Sequence, residues 1–287
     1  MSQKRKRLLR WGKFLLAASF TISLLVSLLL ITRRISARDA HHAPAAGNRL
    51  HRSGTYFVDC PADSDQGRRL VTPLPESRYL YSESYGWFDA SHFAAGHPAQ
   101  VLADVETAAQ NGGGIVAISQ PVRDGLTGYT ATYLVSNDAR STDVVGIALG
   151  IYLDWSLRFE AWQGRAPRSL VGPFTPFSIE DLPTQYLGFV DATTELKLEA
   201  LFACYLGEVT AANSPPHLRQ ADPLPDEIIT LPRVVRLINE SFQPLVQSEG
   251  GWQSVRWPAP LRLAPVPSSP HLWLFESEET WYLGTPD

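Results

Sequence analysis

Residues 14–32 read FLLAASFTISLLVSLLLIT, nineteen positions without a charge or a proline. As a helix, a run of about 19 residues spans roughly 28 Å, close to the ~30 Å hydrocarbon core of a bilayer. Six basic residues (Lys4, Arg5, Lys6, Arg7, Arg10, Lys13) precede it and three (Arg33, Arg34, Arg38) come after it. The heavier basic cluster stays inside, so a single span would leave the C-terminal bulk outside the cytoplasm. A cleaved signal peptide needs small residues directly after the apolar run, where Arg33-Arg34 stands, and Ala43-Pro44-Ala45 lies too far downstream. Cys60 is remote from the run and does not suit lipid attachment. The expected organisation is a basic cytoplasmic segment 1–13, a transmembrane signal anchor 14–32 in the cell membrane and a stalk 33–54. Next is an extracytoplasmic α+β domain 55–213, then a proline-rich connection and β-rich tail 214–287.

Charge narrows the partners. The chain carries 25 Lys/Arg and 29 Asp/Glu. The first 38 residues hold nine of the bases and no acid, which leaves 16 bases against 29 acids and a net of −13 for residues 39–287. Such a surface is repelled by phosphate backbones and anionic headgroups, so nucleic acid is not an expected partner. The membrane, reached through residues 14–32, is one. An envelope polymer or an envelope protein is the other class that remains. Cys60 and Cys204 would stabilise an exported domain if paired, or are two isolated buried thiols; spacing does not choose between these.

Periodicity outlines the elements. A helix is expected from about Asp89 to Gln110, with Val101, Leu102, Val105 and Ala108 on its apolar face and Pro98 either opening or kinking it. The run 114–122, a turn at Arg123-Asp124-Gly125 and the alternation of Tyr129, Ala131, Tyr133 and Val135 predict a β-hairpin. Residues 142–163 form a long buried helix, with Asp154 and Arg158 as an i, i+4 ion pair. Ser178-Ile179-Glu180-Asp181 resembles a capping box that opens a short helix. A further helix runs from about Thr194 to Leu206 and stops at Gly207. Residues 252–257, 271–275 and 280–283 favour short aromatic strands. No internal repeat is visible.

Nucleotide-binding glycine loops, a Gly-x-Ser-x-Gly elbow, His-Glu-x-x-His and Cys-x-x-Cys are all absent, which argues against the enzyme classes that use them. Chemistry would fall to a small polar set. On a helix beginning near Asp89, Asp89 and His92 share a face, and a carboxylate beside an imidazole orients it and raises its basicity. The plainer alternative is an Asp89 cap beside an ordinary histidine. Glu160 lies about 240° around its helix from Asp154, in line with apolar neighbours. There it must be paired, protonated or metal-bound, unless the helix end frays into water. Glu180 and Asp181 suit the first turn of a helix electrostatically, or join His92 and Glu160 in one pocket. Two functions are compatible with this set. One is an envelope ligand- or partner-binding module. The other is an extracytoplasmic hydrolase with Asp89, His92, Glu160, Glu180 and Asp181 as its catalytic set, where His92, Glu160 and Asp181 would suit a divalent metal as cofactor.

Gly86-Trp87-Phe88-Asp89-x-x-His92, then Phe159-Glu160-Ala161-Trp162, then Phe177-Ser178-x-Glu180-Asp181-Leu182 with Leu187-Gly188 beyond, occur in that order. Together they resemble an uncharacterised bacterial domain family of unknown function, found in secreted or lipid-anchored envelope proteins. The likeness covers about residues 85–210. It implies a shared fold and a shared polar pocket, and supplies no activity. Phe159 stands where that family has a histidine before the glutamate, and Pro183-Thr184-Gln185 replaces a Ser-Asn-type stretch. If that histidine ligates a metal in the family, this chain has lost it.

Overall fold

The computed structural model describes residues 54–122, 127–137, 139, 143–163, 178–216, 242–266 and 272–281. The apolar run 14–32, nearly all of the stalk, the turn at 123–125, the loop 164–177 and most of 215–232 lie outside them. Among the described residues no helix is long and apolar enough to cross a membrane. One compact unit, Leu50–Gln120 with Tyr129–Glu279, carries every residue of the site described below.

The class is α+β. In chain order the strands are β1 Tyr56–Asp59, β2 Arg68–Val71, β3 Tyr79–Ser82 and β4 Gly86–Asp89, succeeded by a 3-10 turn, Ala90–His92. Then come helix α1 Pro98–Gln110, β5 Gly114–Val122, β6 Thr127–Val135, α2 Val144–Gln163 and α3 Asp181–Thr193. A short α4, Leu198–Leu201, continues as a π-turn, Phe202–Leu206, into β7 Val209–Ala212. The remainder is β8 Leu245–Ser248, β9 Gly251–Ser254 and β10 Leu272–Trp281. Strand order is β4-β3-β7 in one sheet and β10-β6-β5 in another, with β1-β2 and β8-β9 as two-stranded ribbons.

Helix α2 is the centre of the unit because its sequence is apolar almost all round. Ile147, Ile151, Trp155 and Phe159 are buried, and the rings of Trp155, Phe159 and Trp162 stack in series at 5.1 and 5.9 Å. Helices α1 and α3 pack against it. Asp154 survives burial on this helix because Arg158 Nε reaches its Oδ2 at 2.7 Å, the expected i, i+4 pair, and the Tyr133 hydroxyl donates to the same oxygen at 2.8 Å. Tyr129, Ala131, Tyr133 and Val135 all face inward, as their alternation requires.

Several boundaries differ from the sequence expectation. The helix expected from Asp89 begins at Pro98 instead, with proline opening it. Asp89 belongs to β4, paired antiparallel with β3 in the register Tyr79↔Asp89, and Gly96 and His97, both at positive φ, break the chain before Pro98. The helix expected from Thr194 starts at Leu198, because Thr194 is extended and the carboxylate of Asp191 takes the Leu198 amide at 2.7 Å. Gly207, at φ 80°, ends it as expected. The helix after Ser178 is 13 residues long rather than short. Asp181 accepts from the Ser178 amide at 3.2 Å, a capping-box contact, while Glu180 makes no cap. The described parts of the two stretches expected as separate strands, 272–275 and 280–281, fall on a single strand, β10. Cys60 and Cys204 are joined by a disulfide, with Cα atoms 5.5 Å apart.

Candidate functional site

Strand β4, the 3-10 turn after it, the start of α3 and the end of α2 bring one titratable group after another to a single place. The inner face of β4 buries Phe88 against Phe202, so residue 89 points to the opposite face, toward α3. Asp89 caps the turn: its Oδ1 accepts from the Ser91 amide at 2.9 Å and from the Ser91 hydroxyl at 2.6 Å. Its Oδ2 accepts from Nε and Nη2 of Arg78 at 3.0 and 2.9 Å. Its backbone amide donates to Thr184 Oγ1, whose own hydroxyl donates to the Glu180 carbonyl. The strand end and the first turn of α3 are therefore bolted together.

The 3-10 turn carries His92 toward α3, where Nδ1 lies 3.0 Å from Asp181 Oδ1. The approach is this close because Gly188, two turns along α3, has no side chain. A Cβ there would sit 1.9 Å from the carbonyl oxygen of Phe93. Glu160, in the last turn of α2, is fully buried, which answers the question of a frayed end. Its Oε1 accepts from Gln185 Nε2 at 2.5 Å, and its carboxyl stands within hydrogen-bonding reach of Asp181. Oε2 of Glu160 and Oε2 of Glu180 are buried and meet no hydrogen-bond donor.

The electrostatics are set by this geometry. Burial would raise the Asp89 carboxyl, but the bonds from Ser91 and Arg78 outweigh it and hold the group below its ordinary range. Burial would also lower His92. The hydrogen bond and charge of Asp181, with Glu160 and Asp89 behind it, instead raise the imidazole to about 9. Glu160 is pushed well above the carboxylate range by desolvation and then by the Asp181 charge. Glu180 rises to about 8 for the same two reasons. Two carboxyls that resist ionisation thus flank an imidazole that resists losing its proton.

All five residues singled out in the sequence gather here, and ligand atoms of Asp89, His92 and Asp181 lie within 4.8 Å of one another. Glu160 joins them through Asp181, and Glu180 through the charges it shares with Asp181, Asp89 and His92. Asp89 and His92 meet on a strand end and a tight turn, not on one helix face. Arg78, Thr184 and Gln185 were not anticipated. Gln185 carried a local signal, being one helical turn beyond Asp181, whereas Arg78 reaches Asp89 only through strand pairing. His97 caps no group with its side chain, and His217 and His271 fall outside the described residues. No protein-family model, no curated protein and no solved structure matches this chain.

Proposed function

We propose that this chain is a membrane-anchored extracytoplasmic hydrolase that acts on an envelope polymer or peptide through the pocket of His92, Asp181, Glu160 and Glu180. The observation that carries the reading is the His92–Asp181 pair, 3.0 Å apart, beside two buried carboxylate oxygens that no donor meets. Hydrolysis needs a group that takes a proton from water and another that returns one to the leaving group. The His92 side chain is 19% exposed, enough to face a substrate, while Asp181 sets its orientation from the buried side. Export is supported by the basic flank of the 14–32 run and by a disulfide, a bond that persists in oxidising compartments. The resemblance to an envelope domain family, carried by Asp89, His92, Glu160, Glu180, Asp181 and Gly188, points the same way.

Cleavage of soluble cell-wall fragments and short peptides by the detergent-solubilised full chain tests this. His92→Ala is expected to lower turnover by at least about 100-fold, the usual contribution of a positioned acid or base. Turnover that survives His92→Ala would sink the proposal. A ligand-binding module is the second reading, and a specific feature favours it. Tyr81 and Trp87 pair across β3 and β4 at 4.6 Å, and Trp252 reaches Trp87 at 5.9 Å, forming a part-exposed aromatic strip on the sheet that ends at Asp89. A fragment that changes tryptophan fluorescence without being cut, equally in His92→Ala, would establish that reading instead.

A further inference from the structure

Lone-pair accounting separates the carboxylates of the pocket. Proximity alone would nominate Asp89 with His92 and Asp181 as a cation site. Asp89, however, is full: two donors from Ser91 occupy Oδ1 and two from Arg78 occupy Oδ2. Each carboxylate oxygen offers two lone pairs, so nothing is left for a metal. Its charge is met as well, by the Arg78 guanidinium at 2.9 Å. Glu160 is the opposite case. Gln185 occupies part of Oε1, and Oε2, wholly enclosed, has no donor. Glu160 is held to α3 through Gln185, one helical turn beyond Asp181, and Asp181 Oδ1 stands 3.0 Å from His92 Nδ1. Native interiors seldom leave buried carboxylate oxygens bare, and a cation that displaces the carboxyl proton would give Glu160 Oε2 a partner.

We propose that Glu160, Asp181 and His92 hold a divalent cation, while Asp89 with Arg78 braces the turn that presents His92 and supplies no ligand. The site uses the pocket of the hydrolytic reading but does not depend on hydrolysis. Charge closes in two separate units. Once the ion has displaced the protons of Glu160 and His92 into solvent, a dication with two carboxylates and a neutral imidazole sums to zero, and so does Asp89 with Arg78. The 3.0 Å between His92 Nδ1 and Asp181 Oδ1 matches the edge between two donors at right angles, each about 2.1 Å from one ion. One imidazole nitrogen among oxygens suits a hard or borderline ion, and Mn²⁺ and Zn²⁺ are the probes of choice.

The test is metal content by mass spectrometry, after Mn²⁺ or Zn²⁺ loading and desalting of the full chain in detergent. Wild type is expected to retain about one ion per chain, the occupancy of a single site with one donor set. Asp89→Asn is expected to retain it too, weakened by no more than about 100-fold, as for a residue that orients a ligand. Glu160→Gln should lose it. That variant replaces a buried carboxyl by its neutral isostere, so it folds even where Asp181→Asn does not, and circular dichroism confirms the fold of each. Folded wild type without metal overturns the proposal, and so does metal kept by Glu160→Gln but lost by folded Asp89→Asn. Metal bound without any cleavage removes the hydrolase and leaves the site. Cleavage by metal-free protein does the reverse.

Discussion

Reduction of the Cys60–Cys204 bridge is expected to cost the folded unit about 5 kcal/mol. The bridge spans a sequence separation of 144, and the entropy it removes from the unfolded chain grows with the logarithm of that length. Folded domains are stable by only about 5–15 kcal/mol, so a third or more of the total rests on this one bond. The loss would reach the site. Cys204 lies in the π-turn whose Phe202 packs edge-on against Phe88 at 5.2 Å and near Phe93 at 6.4 Å, on either side of Asp89 and His92. Urea unfolding of the oxidised, the reduced and the Cys60→Ser/Cys204→Ser proteins measures the effect. A difference below about 1 kcal/mol would show that the unfolded chain is not constrained by the link.

Gly188→Ala is expected to destabilise by about 2 kcal/mol or more. Helix propensity alone predicts a gain of about 1 kcal/mol, since alanine is the better helix former. Packing reverses the sign. The added Cβ would lie 1.9 Å from the Phe93 carbonyl oxygen, 2.7 Å from its carbon and 3.0 Å from its Cα, all backbone atoms that cannot rotate away. Overpacking costs about 1–3 kcal/mol, and the upper end or more applies here because only backbone atoms could yield. Relief requires the turn to lift off α3, which lengthens the 3.0 Å His92–Asp181 contact. Metal retention and turnover should therefore fall in Gly188→Ala even where the protein remains folded. A Gly188→Ala protein more stable than wild type would falsify the close packing of this turn on α3.

Features with a local period are the ones legible in the sequence alone. The inward alternation of β6, the long apolar α2 and its Asp154–Arg158 pair are written in neighbours two, three or four residues apart, and the structure agrees with them. Asp89 shows where that logic fails. An acid before a helical stretch suggests a helix cap, yet Asp89 closes a strand, because Tyr79 ten residues earlier pairs with it. It still caps a turn, a 3-10 one. The polar residue types of the site were visible as exceptions, a carboxylate on an apolar face and an acidic pair at a helix start.

Their partners were not. Arg78 meets Asp89 across 11 residues, Gln185 meets Glu160 across 25, and Cys60 meets Cys204 across 144. Such contacts depend on how a sheet pairs and how α3 lies on α2, which side-chain periodicity does not encode. The sequence by itself determined the apolar run, the acidity of residues 39–287 and which polar residues are out of place. Only the tertiary structure decided that Asp89 is saturated while Glu160 is not, because hydrogen-bond saturation depends on donors that long-range packing delivers.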